Sequence, residues 1–231
     1  MSSKWTAIYE NAILLAKIMN KLLQLNKQYY FWFLCALSLL FAFLGDRFLF
    51  TESLYYSTLN EQYTNEQIRM MLNLKDKWIG ITYLFIPVFI ILRVLYTSFC
   101  LFLGDLFRET HWGYKRLFNI ALKADIVFIL SAICVFYYYL IVGDYKTTHE
   151  LNIHPFSLLA VTGQENIPGW LVFAYNSINV FELIYLVLLS LLIHVSTQTG
   201  FVKSLIFSLL TYGVGNYLYI VAITFLYLNY F

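Results

Sequence analysis

Charge is scarce in this chain of 231 residues: Asp, Glu, Lys and Arg make up only 12% of it. A water-soluble domain carries roughly 25%, so there is too little polar surface to cover a globule facing water. The net charge of +2 excludes the basic patch of a nucleic-acid binder. Cysteine is almost missing. Cys35, Cys100 and Cys134 lie inside apolar runs, which excludes a disulfide framework or a CxxC site. There is no GxSxG, no P-loop and no Gly-rich nucleotide fingerprint, so no catalysis and no cofactor are expected. The first 29 residues hold Lys4, Glu10, Lys17, Lys21 and Lys27. They leave no uncharged h-region for a cleaved signal peptide.

What remains is apolar: 61% hydrophobic and 20% aromatic residues, in five runs long enough to cross a bilayer. The fold class is all-α, a polytopic integral membrane protein with five transmembrane helices. The spans are expected at about 29–50, 78–103, 124–142, 170–195 and 204–229. Residues 1–28 form an amphipathic helix: Ile8, Ala12, Leu15, Met19 and Leu22 recur on one face, and Glu10, Lys17, Lys21 and Gln24 on another. It lies in the membrane interface or packs on the bundle. Thr64 and Gln67 fit a capping box that opens a short helix over 65–77.

Five spans put the N-terminus, residues 104–123 and residues 196–203 on one side, with Lys4, Lys17, Lys21, Lys27, Arg108, Lys115, Arg116, Lys123 and Lys203. The other side holds Arg47, Arg69, Lys75, Lys77 and Lys146. The positive-inside rule then predicts a cytoplasmic N-terminus and a periplasmic C-terminus in a bacterial inner membrane.

"HELNIHP", residues 149–155, is one residue away from the zincin motif HExxH. His149 and His154 stand at i and i+5, about 140° apart on a helix, where two zinc ligands need i and i+4. Pro155 also disfavours helix at His154. These are read as loop histidines, and no metal site is expected.

The stretch after this heptad carries a family resemblance. "PFSLLAV", 155–161, is too short to span. It is followed by "NVFEL", Asn179–Leu183, by a basic turn "STQTGFVKSL" with Lys203, and by a last apolar run. Before them stands "YKRLFNIALKADIVFIL", 114–130. This pattern resembles the bacterial members of the Yip family, the Ypt/Rab-interacting-protein-like five-span membrane proteins. It covers roughly 104–231. Asp125 stands where the family often has proline. The resemblance implies a five-helix fold rather than an activity, although eukaryotic members are implicated in vesicle trafficking.

Polar groups within spans are costly and mark functional or structural sites. Arg93, Asn179, Glu182 and Asn216 fall at comparable depth, and a buried Arg93–Glu182 pair joined by the two amides is expected. Such a cluster glues the bundle, lines a substrate or proton path, or meets a partner subunit. Ser204, Ser208, Thr211, Gly215 and Ala222 form a small-residue stripe, either against span four or against a partner helix. Tyr212, Asn216 and Tyr219 share another face. Arg108, Lys115 and Arg116 are candidate cytoplasmic docking residues, and Asp105 and Glu109 read as exposed charges balancing them. The expected role is a non-catalytic membrane scaffold or accessory subunit organising a membrane complex. Its partners would be the lipid bilayer and other membrane subunits or further copies of this chain. The alternative is a permease subunit working with a separate ATPase.

Overall fold

A computed structural model describes residues 17–60, 62–108, 111–143 and 145–230. The expected amphipathic helix is therefore seen only from residue 17, and residues 1–16 lie outside the described part. Residues 17–24 are helical. Met19, Leu22 and Leu23 pack on the core, and Lys17 and Lys21 stay exposed. Of the two placements expected, packing on the bundle is the one observed.

Asn26 caps α1 (Lys27–Phe48) by accepting the Gln28 N–H. After the short α2 (Glu52–Leu59), Thr64 and Gln67 form the expected reciprocal capping box, with Thr64 N–H donating to Gln67 Oε1 at 2.9 Å. The helix that starts there does not stop at residue 77. It runs on as α3, Asn65–Arg108, 44 residues with Pro87 inside, about 66 Å long at 1.5 Å per residue. The basic connector expected over 104–123 is mostly helix as well. Only 109–113 separates α3 from α4 (Tyr114–Ala124), which leads through Asp125 into α5 (Ile126–Val142). Leu117, Ile120, Ala121 and Ala124 of α4 are buried, while Lys115 and Arg116 face outward. Asp105 reads differently from the sequence expectation. It is buried and accepts the N–H groups of Trp112 and Gly113, fixing the turn between α3 and α4; Glu109 lies outside the described residues.

Gly143 ends α5 at φ 59, left-handed backbone that suits glycine. The polar loop then folds back as α6 (Thr148–Leu151) and α7 (Leu158–Thr162), and continues into α8 (Val172–Ser177). Span four is not the continuous helix expected over 170–195. It breaks at Ile178–Asn179, and the unbroken helix is α9, Val180–Thr197. Asn179 is extended, and its side chain accepts the Glu182 N–H at 3.1 Å. Residues 157 and 179 pair as an isolated antiparallel bridge, with Leu158 N–H donating to Ile178 O and Val180 N–H to Phe156 O. These bonds satisfy backbone groups outside helix geometry, so the chain can break there. Span five is α10 (Phe201–Ser208), a π turn (Leu209–Gly213) and α11 (Val214–Tyr230).

The result is all-α, with no named strand among the described residues and five helical segments long and apolar enough to cross a membrane: Lys27–Phe48, Asn65–Arg108, Tyr114–Val142, Val180–Thr197 and Phe201–Asn229. The main core sits where α3, α4, α9 and α10 meet, around Leu101, Leu117, Ile120, Tyr185, Leu189 and Phe207. A second cluster joins α1, α3 and α4, and a third lies under the loop between α5 and α8.

Candidate functional site

A row of polar and aromatic side chains crosses the middle of the bundle. At one end Arg93 of α3 grips Asp125 in bidentate fashion, with Nε to Oδ1 and Nη2 to Oδ2 both 2.7 Å. Asp125 has 0% exposure. The guanidinium lies 3.9 Å above the centre of the Phe128 ring. That ring packs on Tyr185, whose hydroxyl donates to Thr97 Oγ1 at 3.1 Å. Tyr185 packs edge-on to Tyr212, and Tyr212 donates to Glu182 Oε2 at 2.9 Å.

The expected Arg93–Glu182 pair is therefore not formed. Arg93 takes Asp125, which sits at the α4–α5 junction directly beside α3 and has its geometry met in full. Glu182 turns to Tyr212 instead. Tyr212 lies in the π turn, where one extra residue per turn shifts side-chain direction relative to a plain α-helix. Asn179 does not bridge to Arg93 either, because its oxygen caps Glu182 N–H and its amide donates to Ser177 O. Asn216 joins Glu182 and Asn179 in lining a groove between α8–α9 and α11, a cavity of about 550 Å³. Trp170, Leu183, Tyr217 and Phe225 form apolar parts of its wall. Three of the four expected polar residues thus share one site, and the fourth lies at the far end of the aromatic row.

The small-residue stripe turns into the chain over its first four members, Thr211 and Gly215 half-buried, while Ala222 is exposed. Ser204 and Ser208 are enclosed, and α10 packs on α9 as the within-chain reading expects. Higher up the stripe changes neighbour. A Cβ on Gly104 of α3 would collide with Thr211, and one on Gly215 would lie 2.7 Å from Cys100 Sγ. Thr211 and Gly215 therefore pack against α3, not span four. Tyr212 belongs to the row, and Tyr219 packs on Tyr96 and Phe173.

Arg108, Lys115 and Arg116 gather at one end of the bundle, exposed. Arg116 donates to Ser196 Oγ at 2.8 Å, Arg108 stacks over Phe207, and Lys115 O accepts from Lys27. Two of the three thus brace the bundle as well as facing outward. Lys123, which the order of the spans puts on the same side, is fully buried. Its Nζ lies 3.7 Å over the Tyr30 ring, and no hydrogen-bond partner is found for it among the described residues.

His149 is exposed, as read from the sequence, but on the one-turn helix α6 instead of in open loop, and His154 is held. Its Nδ1 accepts Phe156 N–H, which leaves Nε2 as the N–H that meets Ser131 Oγ at 2.8 Å. Burial pushes its pKa below the ordinary 6.5. Among the described residues, no three His, Cys, Asp or Glu side chains come close enough to hold a metal.

No family model, curated protein or solved structure matches this chain.

Two features of the row were hidden in the sequence. Asp125 stood out only as a departure from a family proline, although it is the one acid at the head of span three. Tyr185 is masked by abundance, being one of 20 tyrosines, whereas Tyr212 stands out by sharing a face with Asn216 but not by its bond to Glu182.

Proposed function

We propose that this protein is a non-catalytic scaffold or accessory subunit that organises a membrane complex, and that the α8–α9–α11 groove receives a transmembrane helix of its partner. The observation that carries this reading is a carboxylate and two amides set within an apolar, laterally open wall. Groove residues on span five run from Tyr212 in the π turn to Leu228 on α11, about 24 Å of helix, which suits an elongated apolar occupant. Glu182 accepts one hydrogen bond from Tyr212 and has capacity for another from a Ser, Thr, Asn or Lys of that helix. The basic end, with Arg108, Lys115 and Arg116, faces the cytoplasm of a bacterial cell in this reading. The Yip-like assignment is proposed on the same footing. It draws support from the contact between its two quoted motifs, "PFSLL" and "NVFEL", which meet at the 157–179 bridge.

The test is photo-crosslinking in the native host from positions 183 and 217 in the groove and from position 84 outside it. Groove positions should capture one membrane protein through a hydrophobic segment, position 84 should not, and Glu182→Gln should weaken the adduct. Adducts to lipid alone from positions 183 and 217 would overturn the proposal.

A permease subunit paired with a separate ATPase is the second reading. It is favoured by the helix break at Ile178–Asn179 lying across the groove from a π turn. Broken helices at a cavity are how many transporters expose backbone groups to a substrate. Recovery of a stoichiometric ATPase that is lost on charge reversal at Lys115 and Arg116 would select it.

A further inference from the structure

A second lateral opening lies between α1, α3 and α5, lined by different residues from the Glu182 groove. It consists of three adjoining cavities. The uppermost, about 290 Å³, is polar and lined by Arg47, Glu52, Tyr55, Lys75 and Asp76 among others. It shares Asp46, Phe50 and Lys75 with a cavity of about 500 Å³, walled chiefly by aromatic and aliphatic side chains. That one shares Phe41, Ala42, Ile86 and Ala132 with a third, of about 350 Å³, which ends at Arg93 and Phe128. The three make one cleft with a charged mouth, an apolar shaft and a floor closed by an ion pair already satisfied within the protein.

Its length is that of one leaflet. Lys75 and Arg93 are 18 residues apart on the same helix, about 27 Å, against roughly 22 Å for half of a bilayer with its headgroups. A tilt of about 35°, within the range of membrane helices, closes the difference. The mouth carries both signs. Lys75 pairs with Asp46 at 2.7 Å. Arg47, Glu52 and Asp76 form no ion pair among the described residues. Among the described residues of the mouth, Arg47 is the free cation that suits a phosphate, with Lys75 shared between the phosphate and Asp46. Two unpaired carboxylates suit a group that both carries positive charge and donates N–H bonds.

We propose that this cleft binds one phospholipid whose headgroup combines a phosphate with a primary ammonium. The phosphate sits at Arg47 and Lys75, the ammonium at Glu52 and Asp76, and an acyl chain fills the shaft past Ala42 and Ala132. A quaternary ammonium cannot donate to the carboxylates, and a glycerol headgroup leaves them facing no charge. The site is therefore selective for the primary amine.

The test is native mass spectrometry of the full chain in detergent, titrated with phosphatidylethanolamine, phosphatidylcholine and phosphatidylglycerol of identical acyl chains. Phosphatidylethanolamine should bind at least about tenfold more tightly than either, a clear difference in affinity. The doubly neutral variant Glu52→Gln/Asp76→Asn changes only exposed side chains and should erase that preference. Ala42→Trp should block the shaft and remove the retained lipid. Equal binding of the three lipids, or a preference that survives the double variant, would overturn the proposal. Leu183→Trp, in the other groove, should leave lipid binding unchanged, so this site and the partner-helix reading fail independently.

Discussion

Arg93 and Asp125 are worth more as a pair than either is alone. A buried charge that loses its partner keeps the desolvation cost without the attraction, so Asp125→Ala should cost about 3–5 kcal/mol. Arg93→Leu/Asp125→Leu should recover most of the loss, because well-packed apolar residues often replace such pairs at no cost. Thermal unfolding of the three proteins in the same detergent checks both statements. Lys123 is the opposite case. Its ammonium has an aromatic face at 3.7 Å and no hydrogen-bond partner among the described residues. Lys123→Met keeps the stem and removes the unpaired charge, and should stabilise by ~1–3 kcal/mol, read as a rise in melting temperature. These two residues also show the limit of sequence reading at this scale. That Arg93 needs a buried partner follows from its place in an apolar run. Which acid supplies it depends on how α4 and α5 rotate against α3, and periodicity does not encode that. The order of the spans gives Lys123 a side of the membrane but not its burial, because a helix pattern gives no warning when a lysine turns inward.

Elements followed the sequence where their signals are local. The Thr64–Gln67 box opens α3 as its spacing predicts, and the apolar runs mark all five long helices. Span four failed because its break depends on bonds to the distant residues Phe156 and Leu158 and on one capping asparagine inside an apolar stretch. The close approach of α3 to span five rests on Gly104 facing Thr211. Gly104→Ala should destabilise by about 1–3 kcal/mol through overpacking. Thr211→Ser, which removes the colliding methyl, should restore much of it in a double-variant unfolding series. The loop carrying α6 and α7 is pinned by Ser131–His154, by Tyr139 donating to the carbonyls of Glu150 and Ile153, and by Asn176 accepting His154 N–H. His154 has a pKa depressed by burial, so the folded form binds its proton less readily than the unfolded chain does. Its contribution to stability is present above about pH 6.5 and is lost as the pH falls below that value. Protection factors over 154–162, corrected for the intrinsic slowing of amide exchange at lower pH, should fall between pH 7.5 and 5.5, and His154→Gln should flatten that dependence.

At the scale of the whole molecule, the odd number of crossings puts the basic end and the looped end on opposite faces of a membrane. Cysteines introduced at 203 and 146 should react with an impermeant maleimide from opposite sides, with position 146 labelled in intact cells and position 203 only after permeabilisation. The reverse pattern would invert the molecule. Membrane class was legible because twenty or so apolar residues in a row have few other uses. The two lateral openings were not, because they are spaces between helices and no single run of residues announces them.

The length of α3 has a mechanical consequence. At about 66 Å it outreaches a bilayer of roughly 45 Å with its headgroups, so one end of the helix stands proud of the surface with α2 packed beside it. A rod that long is a lever. Rocking it by ~20°, an ordinary inclination for a membrane helix, sweeps the tip sideways by about 23 Å.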